Sequence, residues 1–263
     1  MPSVVLGCET DSVEDEAMVS ALETAAKLAH RAESISEFEM RVAYVGHELS
    51  GLDPLLAVNL LVVVQQRAAG GHARYCDLAL ACDVYLAQPQ AVELRVVLHS
   101  AAVTAQHQSL ASDLAPPAAE RKAAEAKVPD FGMGRPLSLG ERKALARTSN
   151  RNLLLRVLRD PSAAVIEIML QNPHLTEADV IRLCALRPIP GDVLRVVFRC
   201  TRWVRHYNVR LAMIKNPRCP RDVAVALVPH LLAQDARLIA DSPDLHEEIR
   251  SRCAKATREV MVH

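Results

Sequence analysis

Apolar residues recur every three or four positions along almost the whole chain. Tyr75, Leu78, Cys82 and Leu86, for example, fall on one face of a helix, and most other segments share this spacing. No segment combines the strict alternation of a half-buried strand with the turn residues that bound one. The pattern therefore predicts an all-α protein.

Start and stop signals divide the N-terminal part into about five helices that form a bundle. A capping box pairs Ser, Thr or Asp with an acid three residues later, and Asp-Pro supplies an N-cap followed by proline at the first helical position. These rules predict helix starts at Ser12 with Asp15, at Ser34 with Glu37 and at Asp53 with Pro54. They predict helix ends at Gly51 and at Gly70-Gly71. A last helix is predicted over 90–112.

Residues 113–137 differ in composition from the segments around them. Four prolines, two glycines and charged, Ala-rich sequence are typical of a linker. We therefore predict an N-terminal helical domain over 1–112, a Pro-rich linker over 113–137 and a second helical domain over 138–263.

The second domain contains a repeated phrase. The segments "NPHLTEADVIRL", "RPIPGDVLRVV" and "NPRCPRDVAVAL" each have a proline, a helix-start residue (Thr176, Pro190 or Pro220) and then Asp-Val. "SPDLHEEIR" at 242–250 is a weaker copy, and Ser138 with Glu141 forms a capping box ahead of the series. Helices of about ten residues are unstable alone, so each must bury its apolar face on its neighbours, as stacked repeats do.

"NPHLTEADVIRL" and "NPRCPRDVAVAL" resemble HEAT-like bacterial α-helical repeats, in particular the leucine-rich-repeat-variant type with its Asn-Pro punctuation. The resemblance covers roughly residues 138–250. It implies a right-handed superhelix of short helices that serves as a binding scaffold. Some such proteins carry a cysteine-ligated iron–sulfur cluster, but clustered cysteines are absent here. The expected fold is an N-terminal helical bundle plus a C-terminal short HEAT-like α-solenoid.

The amino-acid composition indicates the type of core and the cellular compartment. Aromatic residues make up only 3% of the chain, so the core must be aliphatic, and the excess of Arg over Lys suggests a GC-rich bacterial coding sequence. Seven dispersed cysteines without a CxxC motif are typical of reduced thiols in a cytoplasm. The longest apolar stretch, 55–64, is too short to span a bilayer. We expect a cytoplasmic protein with no membrane segment and no export signal.

Charge is distributed unevenly along the chain. Residues 1–136 carry 10 Lys and Arg against 18 Asp and Glu, a net charge of −8, which leaves +8 for residues 137–263. Such asymmetry indicates two parts with different surfaces. The basic part is expected to bind an acidic protein surface, which the acidic N-terminal half of the same chain could supply. An ordinary solvated Arg-rich surface is the simpler alternative.

The strongest surface signal is a basic segment over residues 195–221, which contains no acid. The predicted binding residues are Arg195, Arg199, Arg202, Arg205, Arg210, Lys215, Arg218 and Arg221. Aligned on stacked helices, they could bind an acidic protein or phosphates. Trp203, Tyr207, Leu211 and Ile214 follow a helical stripe, which indicates that Trp203 packs in the core instead of stacking on a base.

Candidate chemistry is weak. "DFG" at 130–132 lacks the other kinase motifs. His72, Cys76 and Cys82 provide at most three ligands where a structural zinc site needs four, and we interpret the cysteines as core residues. We therefore predict no catalytic residue, metal or cofactor, and a non-enzymatic scaffold for protein–protein interaction. A nucleic-acid-binding HEAT-like protein is the alternative, and a DNA-glycosylase-like enzyme is a more distant one.

Overall fold

The computed structural model describes residues 8–116 and 128–260. All regular secondary structure in these two ranges is helical, which confirms the all-α prediction. The chain divides into two compact units, Met1–Pro116 and Pro117–His263. None of the helices in the described ranges is both long enough and apolar enough to cross a membrane.

Unit 1 is built around a central buried helix. Its helices are α1 Cys8–Ser34, α2 Phe38–Gly51, α3 Pro54–Ala69, α4 Ala73–Leu86, α5 Val92–Thr104 and α6 Gln108–Leu114, with a 3-10 turn at Pro89–Ala91. Helix α3 contacts α1, α4, α5 and α6. It buries an almost continuous apolar run, and its one buried amide, Asn59, has its Oδ1 3.0 Å from His107 Nε2. The apolar stretch that the sequence singled out is therefore the core of this unit.

Helices α2 and α4 approach closely at one glycine. A Cβ on Gly46 would lie 2.0 Å from Tyr85 Cε2, so only glycine allows the aromatic ring to lie against α2. One turn later, Ser50 Oγ lies 3.3 Å from the Tyr85 hydroxyl. The ring therefore packs against backbone at one end and contacts a polar group at the other.

The predicted boundaries in unit 1 are partly right. Asp53 caps α3, because its carboxylate accepts hydrogen bonds from the amides of Leu55 and Leu56, and Gly51 ends α2. The predicted start at Ser34 is wrong: Ser34 is the last residue of α1, and its hydroxyl donates back to the Arg31 carbonyl. Helix α1 also begins at Cys8, ahead of the predicted start at Ser12.

The single helix predicted over 90–112 is also wrong. The structure has the 3-10 turn, then α5, then α6, and the break between the two helices lies at Gln106, whose φ is +59°. This is the left-handed conformation, which ends a helix as a C-terminal glycine would. The amides of Gln106 and His107 turn back to the carbonyls of Val103 and Ala102.

Unit 2 consists of short helices. They are α7 Leu139–Leu145, α8 Arg151–Val157, α9 Ala163–Leu170, α10 Glu177–Ala185, α11 Gly191–Arg199, α12 Thr201–Val204, α13 Tyr207–Ile214, α14 Arg221–Leu227, α15 Ala233–Ala240 and α16 Glu247–Val260, with a 3-10 turn at Val228–His230. Helices α9 and α11 pack together through fully buried aliphatic side chains, and α10 and α13 do the same. Most of these helices are too short to be stable alone, so this packing holds them.

The predicted start signals of unit 2 agree with the structure. Ser138 and Glu141 form a capping box on α7, Thr176 and Asp179 form another on α10, and Pro190 and Pro220 are the N-caps of α11 and α14. Asp160-Pro161 has the same Asp-Pro sequence as the α3 start and also predicts an N-cap, but this prediction is wrong, because α9 begins at Ala163 after an N-cap at Ser162. The Asp160 carboxylate instead accepts from the Ser162 amide and pairs with Arg142.

The predicted linker, 113–137, contains packed residues at both ends. Helix α6 extends through Leu114, and residues 117–127 lie outside the described ranges. Phe131 is 4% exposed, Asp130 accepts a hydrogen bond from the Gly132 amide at 2.7 Å, and Gly132 has a φ of +76° against the Arg156 guanidinium. The Asp-Phe-Gly sequence is therefore accounted for as a turn that buries one aromatic ring.

Candidate interaction surface

Arginine–acid pairs connect successive parts of unit 2 at a constant separation. Arg151 pairs with Asp179 across 28 residues, and Arg195 pairs with Asp222 across 27. Arg221 pairs with Glu248, again across 27 residues, with Nε and Nη2 each 2.6 Å from a carboxylate oxygen. In each pair the acid lies in the first turn of its helix, where the helix dipole also favours negative charge. Each pair therefore connects the start of one helix with a helix that lies two or three helices earlier in the chain.

Several residues of the basic segment are compensated by acids that lie outside it. The Arg195 side chain is only 13% exposed and lies between Asp192 and Asp222, with contacts of 3.2 and 3.1 Å. The Arg221 guanidinium is paired with Glu248 as described above. Lys215 Nζ lies 3.8 Å from Asp235.

The other members of the basic segment lie in different surroundings. Arg210 is half-buried, and its Nη1 donates to the carbonyls of Val204 and Arg205. Arg199 is half-buried at the end of α11, whereas Arg202, Arg205 and Arg218 are exposed. The eight residues therefore do not form one surface of uncompensated positive charge.

Arg202 is held against the single tryptophan of the chain. Its Cζ lies 4.4 Å from the Trp203 ring centroid, and its Nη1 donates to the Asn172 carbonyl at 3.3 Å. Trp203 is 4% exposed and donates its Nε1 hydrogen to the Leu170 carbonyl at 2.8 Å, which confirms its predicted place in the core. The predicted helical stripe from Trp203 to Ile214 is nevertheless divided, since α12 ends at Val204 and α13 begins at Tyr207.

The Asn-Pro turns contain functional side chains that the sequence analysis did not assign. Asn172 is 3% exposed, and its Nδ2 donates to the carbonyls of Ala146 and Thr148 at 2.9 Å each. Its Oδ1 accepts from the amide of His174. The recurrence of Asn before Pro173 and Pro217 is the sequence signal of these turns.

Two turns and the short helix α12 meet at Asn172 and bring basic residues together. Arg147 lies between the two carbonyls that Asn172 holds, His174 follows it in its own turn, and Arg202 donates to its carbonyl. We call the exposed basic residues around this point the Asn172 patch: Arg147, Arg151, His174, Arg202 and Arg205. Sequence spacing alone does not place residues 147 and 202 on one surface.

Two acids border the Asn172 patch, and both are paired. Asp179 is completely buried and accepts from Arg151 and from the Thr176 hydroxyl and amide. Glu177 Oε2 lies 3.2 Å from His206 Nδ1, and the His206 ring packs against Trp203 with centroids 5.9 Å apart. The patch therefore carries more positive than negative charge while remaining mixed in sign.

The pKa of Asp179 is lowered, because hydrogen bonds stabilise its ionised carboxylate. Burial by itself raises the pKa, but hydrogen bonds from Arg151 and Thr176 outweigh burial and lower it to about 2. At the other end of the series, hydrogen bonds from Arg221 hold the pKa of Glu248 below its usual value. Both carboxylates are therefore ionised at neutral pH, where their arginine partners are also charged.

The candidate metal ligands of α4 do not converge. His72 is the N-cap of the helix, the Cys76 thiol donates to the Ala68 carbonyl at 3.4 Å, and Cys82 is buried in the core with a pKa raised by burial. Across the described residues, no group of three or more His, Cys, Asp or Glu side chains is arranged to hold a metal ion. Cys82 is thus a core residue, as predicted, and Cys76 is half-buried.

Unit 1 contains a small polar cavity between α1, α2 and α4. Its volume is about 140 Å³, and two ion pairs line it: Arg41 with Asp77 at 3.2 Å and Arg74 with Glu33 at 2.7 Å. Arg41 is further engaged, because its Nε and Nη2 both donate to the Ile35 carbonyl. The charges that line the cavity are therefore balanced within unit 1.

Asp83 of α4 is a carboxyl group with a raised pKa. Burial, and then the charge of Asp113, raise the pKa of the half-buried Asp83 to about 8, although Arg95 acts in the opposite direction. Arg95 also donates to the carbonyls of Leu114 and Ala115, at 2.9 and 2.8 Å, and so holds the end of α6.

Comparison with known proteins gives no match: no family model, no curated protein and no solved structure is significantly similar to the chain. The resemblance to HEAT-like and leucine-rich-repeat-variant proteins therefore remains a prediction from the repeated phrase.

Proposed function

We propose that this protein is a non-enzymatic helical-repeat scaffold that binds another protein through unit 2. The observation that carries the proposal is the recurring separation of three Arg–acid pairs between helices, which is 27 or 28 residues. Such regularity is expected of stacked two-helix repeats, in which each repeat contacts its neighbours. Repeat proteins of this kind present a preformed surface to their partners.

The packing of alternate helices supports a solenoid arrangement. Helix α9 contacts α7 and α11, α14 contacts α16, and α10 contacts α13. On the other side, Tyr207 of α13 donates to Asp235 of α15 at 2.5 Å, across 28 residues. These contacts are those expected of two parallel rows of helices, as in the HEAT-like repeats that the Asn-Pro phrases resemble.

The mixed charge of unit 2 favours a protein partner over a nucleic acid. A protein that binds nucleic acid neutralises a row of phosphates with unpaired Lys and Arg. Here Arg195, Lys215 and Arg221 already face acids within unit 2. The partner we propose is an acidic protein surface, encountered in the cytoplasm, and the acidic N-terminal half of the chain remains one predicted source of it.

The proposal is tested by cross-linking the full-length protein in cells. A photoreactive amino acid is placed, one position at a time, at Arg205, Arg218 and Leu238, which are exposed residues of unit 2. Adducts are identified by mass spectrometry, and any partner is then purified and titrated against the protein by calorimetry. We expect one defined protein, bound with fixed stoichiometry.

The alternatives give different adducts. A cross-link to a peptide of the same chain identifies the acidic N-terminal half as the partner. An adduct that nuclease removes, together with binding to RNA or DNA that falls steeply between about 50 and 200 mM salt, supports the nucleic-acid alternative and overturns the proposal. The absence of any adduct at all three positions also contradicts it.

A further inference from the structure

We propose that the Asn172 patch is the part of unit 2 that binds the partner, and that it takes an acidic polypeptide segment with Arg202 as the anchor. This inference rests on the proposed function and gives it a site. The patch consists of Arg147, Arg151, His174, Arg202 and Arg205. Hydrogen bonds bring the turn of Arg147, the turn of Asn172 and His174, and the side chain of Arg202 together, and Arg151 and Arg205 follow Arg147 and Arg202 by four and three positions.

Arg202 has the properties of a preorganised carboxylate receptor. One of its guanidinium nitrogens is fixed on the Asn172 carbonyl, and its plane is held near the Trp203 ring, while the residue as a whole is exposed. The Trp203 ring is itself fixed by its hydrogen bond to the Leu170 carbonyl. A guanidinium that is already oriented loses less conformational entropy when it binds a carboxylate, because its fork geometry matches the two carboxylate oxygens.

The neighbours of Arg202 extend the site. Arg205 is the C-cap residue of α12, three positions further along, and is exposed. The Arg151 side chain remains 45% exposed although it pairs with the buried Asp179. Positive groups are thus spread across the patch, as a segment with several acidic side chains requires.

The acids at the border of the patch select against a uniform polyanion. Glu177 is 38% exposed at its side chain and remains beside His206. A nucleic-acid backbone, which carries a negative charge at every nucleotide, would be repelled by Glu177. An acidic polypeptide can place a neutral or basic side chain next to Glu177, so the mixed surface fits a protein segment better.

The test uses the full-length protein and a fluorescein-labelled peptide of alternating Glu and Ser. Binding is followed by anisotropy over a salt series, and Trp203 emission is recorded in parallel with unlabelled peptide. Because Arg202 lies over the only tryptophan in the chain, a carboxylate bound at Arg202 should change that emission. We expect binding at low salt that weakens as salt rises.

Charge-reversed variants locate the site. Arg202→Glu/Arg205→Glu should weaken peptide binding by about tenfold or more, since two favourable contacts become repulsive. Arg202→Lys keeps the charge without the planar fork and should weaken binding less. The matched control is Arg159→Glu/Arg237→Glu, in which Arg159 follows the opposite end of α8 and Arg237 lies on α15; both are exposed. The control should bind as the unaltered protein does.

Three results would overturn the inference. The peptide could fail to bind at low salt, or the control variant could lose as much affinity as the patch variant, or an RNA of equal charge could bind more tightly through the same arginines. If the cross-linking experiment still recovers a protein partner whose binding survives Arg202→Glu/Arg205→Glu, the scaffold function stands and only the location of its site is wrong.

Discussion

Asn172 and Asn216 make the same three hydrogen bonds in two different turns. Each donates twice through Nδ2 to carbonyls near the end of an earlier helix, Ala146 and Thr148 for Asn172 and Cys184 and Leu186 for Asn216. Each also accepts, through Oδ1, from the amide two residues further on. Both side chains are almost completely buried, so the carbonyls that they hold have no ready substitute in water.

Replacing either asparagine should destabilise unit 2. In Asn216→Ala two inward-facing carbonyls lose their donor, and we expect the free energy of unfolding to fall by about 2–4 kcal/mol. Trp203 is the only tryptophan and lies in unit 2, so its fluorescence during urea denaturation reports on this unit alone.

The exposed Asn208 provides the matched control for this prediction. Asn208→Ala lies in α13, close in sequence to Asn216, and should change the free energy of unfolding by no more than about 0.5 kcal/mol. Equal urea midpoints for Asn208→Ala and Asn216→Ala would show that the turn contributes no net stability.

The stability of unit 2 should fall in acid because of Asp179. Its pKa is about 2 in the folded protein and near 3.8 in the unfolded chain, so the ionised form stabilises the fold above about pH 4. This contribution is lost as the pH falls from about 4 to 2. We expect Asp179→Asn to cost about 1–2 kcal/mol at neutral pH, since the exposed side of Arg151 is screened by solvent, and to reduce the slope in that window.

The measurement is Trp203 fluorescence in urea at a series of pH values. Asp244→Asn serves as the control, because Asp244 is exposed and is expected to keep the slope of the unaltered protein. If Asp179→Asn and Asp244→Asn give the same slope between about pH 4 and 2, the pairing of Asp179 with Arg151 does not govern the acid sensitivity.

Unit 1 should respond to pH in the opposite direction. The pKa of Asp83 is raised from 3.8 to about 8, so the folded state keeps a proton that the unfolded chain has already released. Its contribution to stability is complete below about pH 4 and is lost as the pH rises toward 8. Asp83→Asn avoids this loss, and we expect it to unfold at a higher temperature than the unaltered protein at about pH 8–9 and at a similar temperature near pH 4.

Far-UV circular dichroism follows both units, and Trp203 fluorescence identifies the part of the transition that belongs to unit 2. Glu93→Gln, an exposed change on α5, is the control and should leave the thermal midpoint unchanged at both pH values. A midpoint for Asp83→Asn that follows this control at high pH would mean that Asp83 is ionised in the folded protein.

The contact of Gly46 with Tyr85 can be tested by adding one methyl group. Gly46→Ala would place Cβ 2.0 Å from a ring atom of Tyr85, so α2 and α4 must move apart, and we expect a loss of about 1–3 kcal/mol. Gly51→Ala is the control in the same helix, because nothing lies within 4 Å of its Cβ position. It should be neutral or slightly stabilising in thermal denaturation followed by circular dichroism. Similar midpoints for the two variants would contradict the close approach.

Features that depend on local chemistry could be predicted from the sequence. The capping boxes of Ser138 with Glu141 and of Thr176 with Asp179 involve residues three positions apart, and the N-cap Asp53 binds amides two and three residues away. The break at Gln106 was not predicted, because it does not depend on chemistry between residues that are close in sequence. The left-handed conformation of Gln106 is stabilised by the packing of α5 on α6, and no glycine or proline marks this position in the sequence.

The surface of unit 2 could not be predicted to the same degree. The basic segment contains no acid in sequence, yet Asp222, Asp235 and Glu248, which follow it along the chain, contact its side chains. Conversely, Arg147 lies outside that segment, and the hydrogen bonds of Asn172 place its turn near Arg202. Charge along a chain therefore predicts charge on a surface only when the packing of the helices is known.

The constant span of the Arg–acid pairs also bears on how this chain could change in length. Three of these pairs connect residues 27 or 28 positions apart, and the Tyr207–Asp235 bond spans 28 positions. In the proposed helical-repeat scaffold, deleting or duplicating a segment of about that size would leave each remaining helix with a neighbour of the same kind. On the proposed repeat architecture, unit 2 could lengthen by duplication of such a segment, or shorten by its deletion, without redesign of its core.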